Sequence, residues 1–344
     1  MSCASLPYLR TLRLLPESVQ DMETNAAEQQ SFWRRLASFA GDKRPSSLTV
    51  SSNPPIVTAA SANHFAELMH AIASTQRELP TSTMVVFDIG LTKQQVSSVK
   101  EVCRVQYRRF NFSQWPVNVR SLLDYRWKPI IVAMVFNEFP DGFWWADTSI
   151  RYHGRLPAER LYRMVNYRQM ELSLTLYMNL STYVVTNKVM YDYLPTDLER
   201  LKTIGNHGAT QMFWVKNYVS KQILMWWVLC ALEAQCMAPQ PPLGLVCRFK
   251  ADHHRQHANC HRFDQSALNI LLANRHAFNE SRYLLFGTSD KFKRFASTNQ
   301  QDDLYTLNRI TKEANSTRRT LACDHSKLYR FWFASEETKI FLSV

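Results

Sequence analysis

Two carboxylates sit where the local pattern allows chemistry. Asp147 leaves the apolar run Phe143-Trp-Trp-Ala146 and opens a turn with Thr148 and Ser149. A carboxylate emerging from a buried strand into a loop can hold a hard divalent cation, Mn2+ or Mg2+, which in turn grips a phosphate oxygen. Such a cation would neutralise a diphosphate and make it a better leaving group. The same acid can also do no more than accept hydrogen bonds from turn amides. Asp264 and Gln265 precede Ala267, Leu268, Leu271 and Leu272, an apolar face at helical spacing. Asp264 there reads in two ways: a helix N-cap worth about 1 kcal/mol, or an acceptor and base for a sugar hydroxyl, with Gln265 as donor. Lys128, just ahead of Pro129, offers either a cation for an anionic ligand or a solvated surface charge. Two further polar groups end apolar runs: Ser61 with Asn63, and Asp88 with Gly90.

The elements that would carry these residues alternate. Ile56 to Ala60 forms a short strand, and Ser61 can cap a helix in which Phe65, Leu68, Met69 and Ile72 recur at helical spacing. Met84 to Phe87 forms a second strand, and Thr92-x-x-Gln95 a capping box for the next helix. Val105 to Phe112 makes a third strand, and Trp127-Lys-Pro129 opens a helix because proline suits a first turn. Phe143 to Ala146 follows as a strand, then a strand near Gln211 to Trp214, a long apolar helix from Lys216 to Cys236, and a helix from Asp264 to Asn274. This alternation specifies an α/β fold with a mostly parallel sheet flanked by helices. In such sheets ligands gather beyond the carboxyl ends of the strands, which suits a nucleotide at Ser61, Asp88 and Asp147.

Composition narrows the partners. The 344 residues are 46% hydrophobic and 20% charged, as in a packed globular chain, with a net charge of +12 that favours an anionic partner. The basic residues form no long block: Arg104 with Arg108 and Arg109, Lys291 with Lys293 and Arg294, and Arg318 with Arg319 are the densest groups. Nucleic acid is therefore not expected as a partner. No glycine-rich phosphate loop and no Gly-x-Ser-x-Gly elbow is present. Cys247, His253, His254, His257, Cys260 and His261 match no strong zinc signature, so a Cys247–Cys260 disulfide or an unpaired basic loop is preferred to zinc. The run Ile223 to Pro239 carries Glu233 and Gln235 and falls short of the ~20 residues a bilayer requires. Read literally, the chain is cytoplasmic. Six cysteines between Cys103 and Cys323, and the sequons at Asn111, Asn179, Asn279 and Asn315, point instead to the secretory pathway. Membrane association would then need an anchor missing from this N-terminus.

The motifs Val57-Thr-Ala-Ala-Ser61, Phe87-Asp-Ile-Gly-Leu91, Trp127-Lys-Pro-Ile130, Trp145-Ala-Asp-Thr-Ser-Ile150, Trp226-Trp-Val-Leu-Cys-Ala231 and Arg262-Phe-Asp-Gln-Ser-Ala-Leu-Asn269 follow one another in an order that resembles an uncharacterised invertebrate domain family, best represented in nematodes. That family is similar to GT-A glycosyltransferases of the family 8 type. The resemblance covers roughly residues 55 to 290, with 1–54 as a polar extension or linker and 291–344 as a C-terminal extension. It implies a nucleotide-sugar donor, UDP-linked, a glycan or glycoprotein acceptor, and a Golgi location. It places the first strand and Ser61 at the base, Asp88 near the nucleoside, and Asp264 with Gln265 near the reacting sugar; Asn63 beside Ser61 and the cation of Lys128 are read from the sequence alone as further contacts to that ligand. Asp147 matches the first acid of the usual Asp-x-Asp metal motif. Ser149 stands where the second acid is usual, so the metal would rest on Asp147, Ser149 and a third ligand. That departure leaves room for an inactive relative that binds a glycan or nucleotide.

Overall fold

A computed structural model describes residues 3–15, 53–152, 158–285 and 296–297 of the chain. In chain order the elements are α1 (Leu6–Thr11), β1 (Ile56–Ala60), α2 (Phe65–Glu78), β2 (Met84–Asp88), α3 (Lys93–Lys100), β3 (Val105–Arg109), α4 (Trp127–Phe136), β4 (Phe143–Ala146) and β5 (Arg151–Tyr152). There follow α5 (Ala158–Arg168), β6 (Leu172–Ser181), α6 (Met190–Tyr193), α7 (Leu198–Leu201), β7 (Gly205–Trp214), α8 (Tyr218–Leu232), α9 (Phe263–Arg275) and β8 (Ala296–Ser297). Six strands form one sheet in the order β3-β2-β1-β4-β7-β6. The first four are parallel, as the strand–helix alternation requires, whereas β7 runs antiparallel to β4 and β6 antiparallel to β7. The mostly parallel α/β sheet flanked by helices is thus present, with an antiparallel pair at one edge.

Period-two alternation divides the core between the two faces of the sheet. Val57, Val85, Phe87, Phe143 and Trp145 pack with α4, α8 and α9 on one face. Ile56, Met84, Val86, Trp144 and Ala146 pack with α2, α3 and α5 on the other. Helices on both faces bury every residue of β1, β2 and β4, which explains why these strands read as unbroken apolar runs. In the stretch expected as a polar extension, residues 3–15 lay Leu9, Leu12, Leu14 and Leu15 into the first of these clusters. The basic groups around Lys291 and Arg318 lie outside the described residues.

Local capping follows the sequence in one place and departs in another. Thr92 Oγ1 accepts from Gln95 N at 3.3 Å, and Gln95 Oε1 accepts from Thr92 N at 2.9 Å, the reciprocal box that starts α3. Ser61 instead precedes a 3-10 turn over Ala62–His64 and makes no capping bond, its hydroxyl donating to Asn63 Oδ1 at 2.6 Å.

The histidine-rich loop holds no zinc cluster among the described residues; Cys247 and Cys260 close a disulfide, and a second joins Cys230 to Cys236. His261 is 1% exposed and anchors this loop. Its Nδ1 accepts from Asn187 N at 3.1 Å and its Nε2 lies 2.9 Å from Met237 O, so both partners are met by the neutral ring. Burial pushes its pKa down from 6.5 to about 4, the carbonyl of Met237 opposing and the nearby His257 and Arg126 adding to the fall. Because the folded value lies below the unfolded one, the unfolded chain binds more protons in between. The stabilisation is present above about pH 6.5 and is lost as pH falls through about 4. Integrated, it amounts to about 3 kcal/mol. Urea unfolding across this pH range should show a shallower pH slope for His261→Gln than for the natural chain; matching slopes would sink this assignment.

Candidate functional site

The strand order reverses beside β1. The chain winds from β1 outward through β2 to β3, then returns to place β4 on the other side of β1. Between β1 and β4 the crossovers diverge to opposite faces of the sheet, the place where open α/β sheets form a ligand crevice beyond the carboxyl ends of the strands. Ser61 and Asp147 leave the sheet at its two lips. Thr148, next to Asp147, reaches across: its hydroxyl donates to Glu67 Oε2 of α2 at 3.0 Å.

At the β4 lip three expected residues meet. A crossover helix runs back along the strand it feeds, so the first turn of α4 lies beside the end of β4. Lys128 in that turn points its ammonium at Asp147, with Nζ 3.1 Å from Oδ1 and 3.3 Å from Oδ2. The same Nζ lies 3.0 Å from Asp264 Oδ2 and donates to Ala209 O at 3.4 Å. Trp145 Nε1 donates to Asp147 Oδ1 at 2.7 Å. Lys128 and Asp264 are sealed, with side chains 4% and 7% exposed, whereas that of Asp147 is 25% exposed and forms the open side of the cluster. Burial works against the Lys128 ammonium, but Asp147 and then Asp264 outweigh it and hold its pKa above the ordinary lysine value. Burial pushes the Asp264 carboxyl up, Lys128 pulling the other way and Asp147 adding to the rise.

This arrangement corrects two local expectations. Asp264 is not the N-cap of α9: that place belongs to Arg262, and Asp264 lies inside the first turn with its carboxylate turned to Lys128. Lys128 is not a solvated surface lysine. The divalent cation expected on Asp147 and Ser149 does not fit the donor set either. The ammonium already stands between the two carboxylates, and no group of three or more His, Cys, Asp or Glu among the described residues is placed to hold a metal. At an effective dielectric constant of ~20, a dication about 4 Å from an ammonium would be repelled by roughly 8 kcal/mol. Ser149 is half-buried in the turn after β4 and supplies one weak neutral oxygen.

The remaining expected residues lie elsewhere or are already engaged. Asp88 Oδ1 accepts from Gly90 N at 2.8 Å and Leu91 N at 2.7 Å, and Oδ2 from the Tyr107 hydroxyl at 2.8 Å. It closes the β2 turn, where Gly90 has φ +139° and its carbonyl takes the amide of Ala62 at 3.0 Å. Asn63 is exposed on the β1 side, bonded to Ser61. Gln265, one position past Asp264, turns towards β7 and donates to Asn206 Oδ1.

Two residues beside the cluster carry no signal in local spacing. Tyr125 takes a left-handed conformation, φ 56°, its ring 5.6 Å from Lys128 Nζ and 6.0 Å from the Phe263 ring. Burial raises its pKa, with Asp264 adding to the rise and Lys128 and Arg262 opposing it. Arg262 is half-buried, and its Nε meets no hydrogen-bond acceptor among the described residues. Burial lowers its pKa.

Residues 45–133 match the model of a family described as "Protein of unknown function (DUF1647)". No curated protein matches the chain. Among solved structures, the chain is similar to the galactosyltransferase LgtC in complex with donor and acceptor sugar analogues, at 13% identity and a TM-score of 0.37 over 80% of this chain and 99% of that one. It is also similar to the mannosyltransferase Ktr4p from S. cerevisiae in complex with GDP, at 11% identity and a TM-score of 0.34 over 80% and 98%. A third is the mouse xyloside xylosyltransferase 1, at 10% identity and a TM-score of 0.35 over 73% and 98%.

Proposed function

We propose that the chain is a glycosyltransferase-like protein that seats a nucleotide-sugar, UDP-linked, in the crevice between β1 and β4 and passes its sugar to a glycan or protein hydroxyl. The observation that carries the reading is the position of Asp147. It stands at the topological switch point of the sheet, partly open to the crevice, with Asp264 from a helix far along the chain gathered to the same ammonium. Two acids at the carboxyl edge, one open and one sealed, give the site an outward hydrogen-bond acceptor and an inner charge that fixes it. The open carboxylate of Asp147 can accept from ligand hydroxyls. Asp264, sealed and paired, positions Lys128 and cannot reach a hydroxyl without leaving that pair.

A second reading shares this site: a relative that binds a glycan or nucleotide without turning it over. The closed Asp147–Lys128–Asp264 cluster favours it, because neither acid stands free as a base. Hydrolysis or transfer assays against a panel of UDP-sugars separate the two readings. A secretory setting, with an acceptor glycan or glycoprotein, accords with the disulfides Cys230–Cys236 and Cys247–Cys260 and with the exposed sequon asparagines Asn111, Asn179 and Asn279. Asn315 lies outside the described residues. No helix among the described residues is long and apolar enough to cross a membrane.

The test is a thermal-shift screen of nucleoside diphosphates and their sugars. A ligand at 100 times its dissociation constant stabilises by about 2.7 kcal/mol, a shift of a few degrees. Asp147→Asn is expected to diminish the shift. If no nucleotide or nucleotide-sugar moves the transition of the natural chain, the reading fails.

A further inference from the structure

We infer that this site takes the diphosphate of a nucleotide without a divalent metal, Lys128 being the built-in counter-charge of Asp147 and Asp264 and Arg262 the cation left to meet the phosphates; the inference rests on the nucleotide reading above. Two facing carboxylates would repel a diphosphate unless something neutralised them. Here an ammonium does so from within the fold, 3.1 Å from one acid and 3.0 Å from the other. An ammonium has three N–H donors. Asp147 and the Ala209 carbonyl accept from it and Asp264 lies in ion-pair contact, so Lys128 cannot swing out to a phosphate without leaving all three. Nor can a metal enter between the acids unless Lys128 leaves.

Arg262 supplies what Lys128 cannot. It stands at the N-cap of α9, two residues before Asp264, and its Nε finds no acceptor among the described residues although little solvent reaches that atom. A guanidinium carries five N–H donors in a planar fork suited to phosphate oxygens, so a half-buried one with an idle Nε is prepared for an anion. Tyr125 bridges the two segments: its ring is 5.6 Å from Lys128 Nζ and 6.0 Å from the ring of Phe263, the residue next to Arg262. The neutralised acids and the start of α9 that carries Arg262 thus flank one tyrosine, and both bear on the same ligand class.

Calorimetric titration of the natural chain with UDP and with GDP, in EDTA and in MnCl2, tests the inference. The expected result is binding of at least one nucleotide with an affinity that differs by less than about threefold between the two buffers, and a loss of about tenfold or more in Arg262→Met, partly recovered in Arg262→Lys. Should Mn2+ raise the affinity about tenfold or more, the inference is overturned while the nucleotide reading stands. Unchanged affinity in a folded Arg262→Met likewise overturns it. Absence of binding in both buffers removes the nucleotide reading and this inference with it. Because the buffer comparison uses the natural chain, the test holds even if a variant fails to fold.

Discussion

Replacing Lys128 by methionine is expected to lower the unfolding free energy by about 3 kcal/mol or more, the cost of stripping a buried charge pair of one partner. Methionine fills much of the same channel, so the loss isolates the charge. What remains is Asp264 with a side chain only 7% exposed and Asp147 close by, two carboxylates with no cation between them. Burial already pushes the Asp264 carboxyl up, and without Lys128 it rises further. A group whose folded pKa is raised contributes stability below its unfolded value, so the deficit of the variant shrinks as pH falls. The double variant Lys128→Met/Asp264→Asn is expected to recover most of the loss, because an amide needs no counter-charge. Urea unfolding at neutral and acidic pH measures all three proteins. A single variant within about 1 kcal/mol of the natural chain would mean that the triad is not the fixed unit described here.

Arg126→Met is the second large effect, again expected at about 3 kcal/mol or more. The Arg126 side chain is 2% exposed, and its guanidinium donates to Ala231 O at 2.9 Å, Glu233 O at 2.7 Å, Ala234 O at 2.8 Å and Ala238 O at 3.5 Å. These carbonyls belong to the end of α8 and the turn after it, where helix geometry leaves acceptors without backbone partners. Each buried carbonyl left unmet costs about 1–3 kcal/mol, so losing one forked donor exposes several such penalties together. The same turn is tied by Cys230–Cys236, so the carbonyls cannot readily relax towards water. Arg126→Lys should recover only part, since an ammonium cannot span the fork. The midpoint of urea unfolding decides: equal midpoints for Arg126→Met and the natural chain would rule out this capping role.

How much was legible depended on the range of the interaction. The Thr92–Gln95 box spans three residues, and its residue types carry the whole interaction; it formed as read. Asp264 also fitted a three-residue rule, the N-cap, yet a lysine 136 positions earlier took its carboxylate because an unpaired ammonium at that depth costs more than a missing cap. The strand β6 was not among those expected from the sequence, although Leu172, Leu174 and Leu176 occupy alternate positions, and nothing in that pattern states its direction. The antiparallel edge formed by β6 and β7 comes from how the chain returns to the sheet, which periodicity does not encode.

By itself, the sequence determined that buried strands alternate with helices and that Asp147 ends one of them, because hydrophobic period and turn chemistry act between near neighbours. Only the tertiary structure decided what Asp147 faces. Coulombic pairing inside a desolvated cluster acts across whatever the fold brings within about 4 Å, whatever the separation along the chain. That is why the sequence raised a metal at this carboxylate and the fold supplied a lysine.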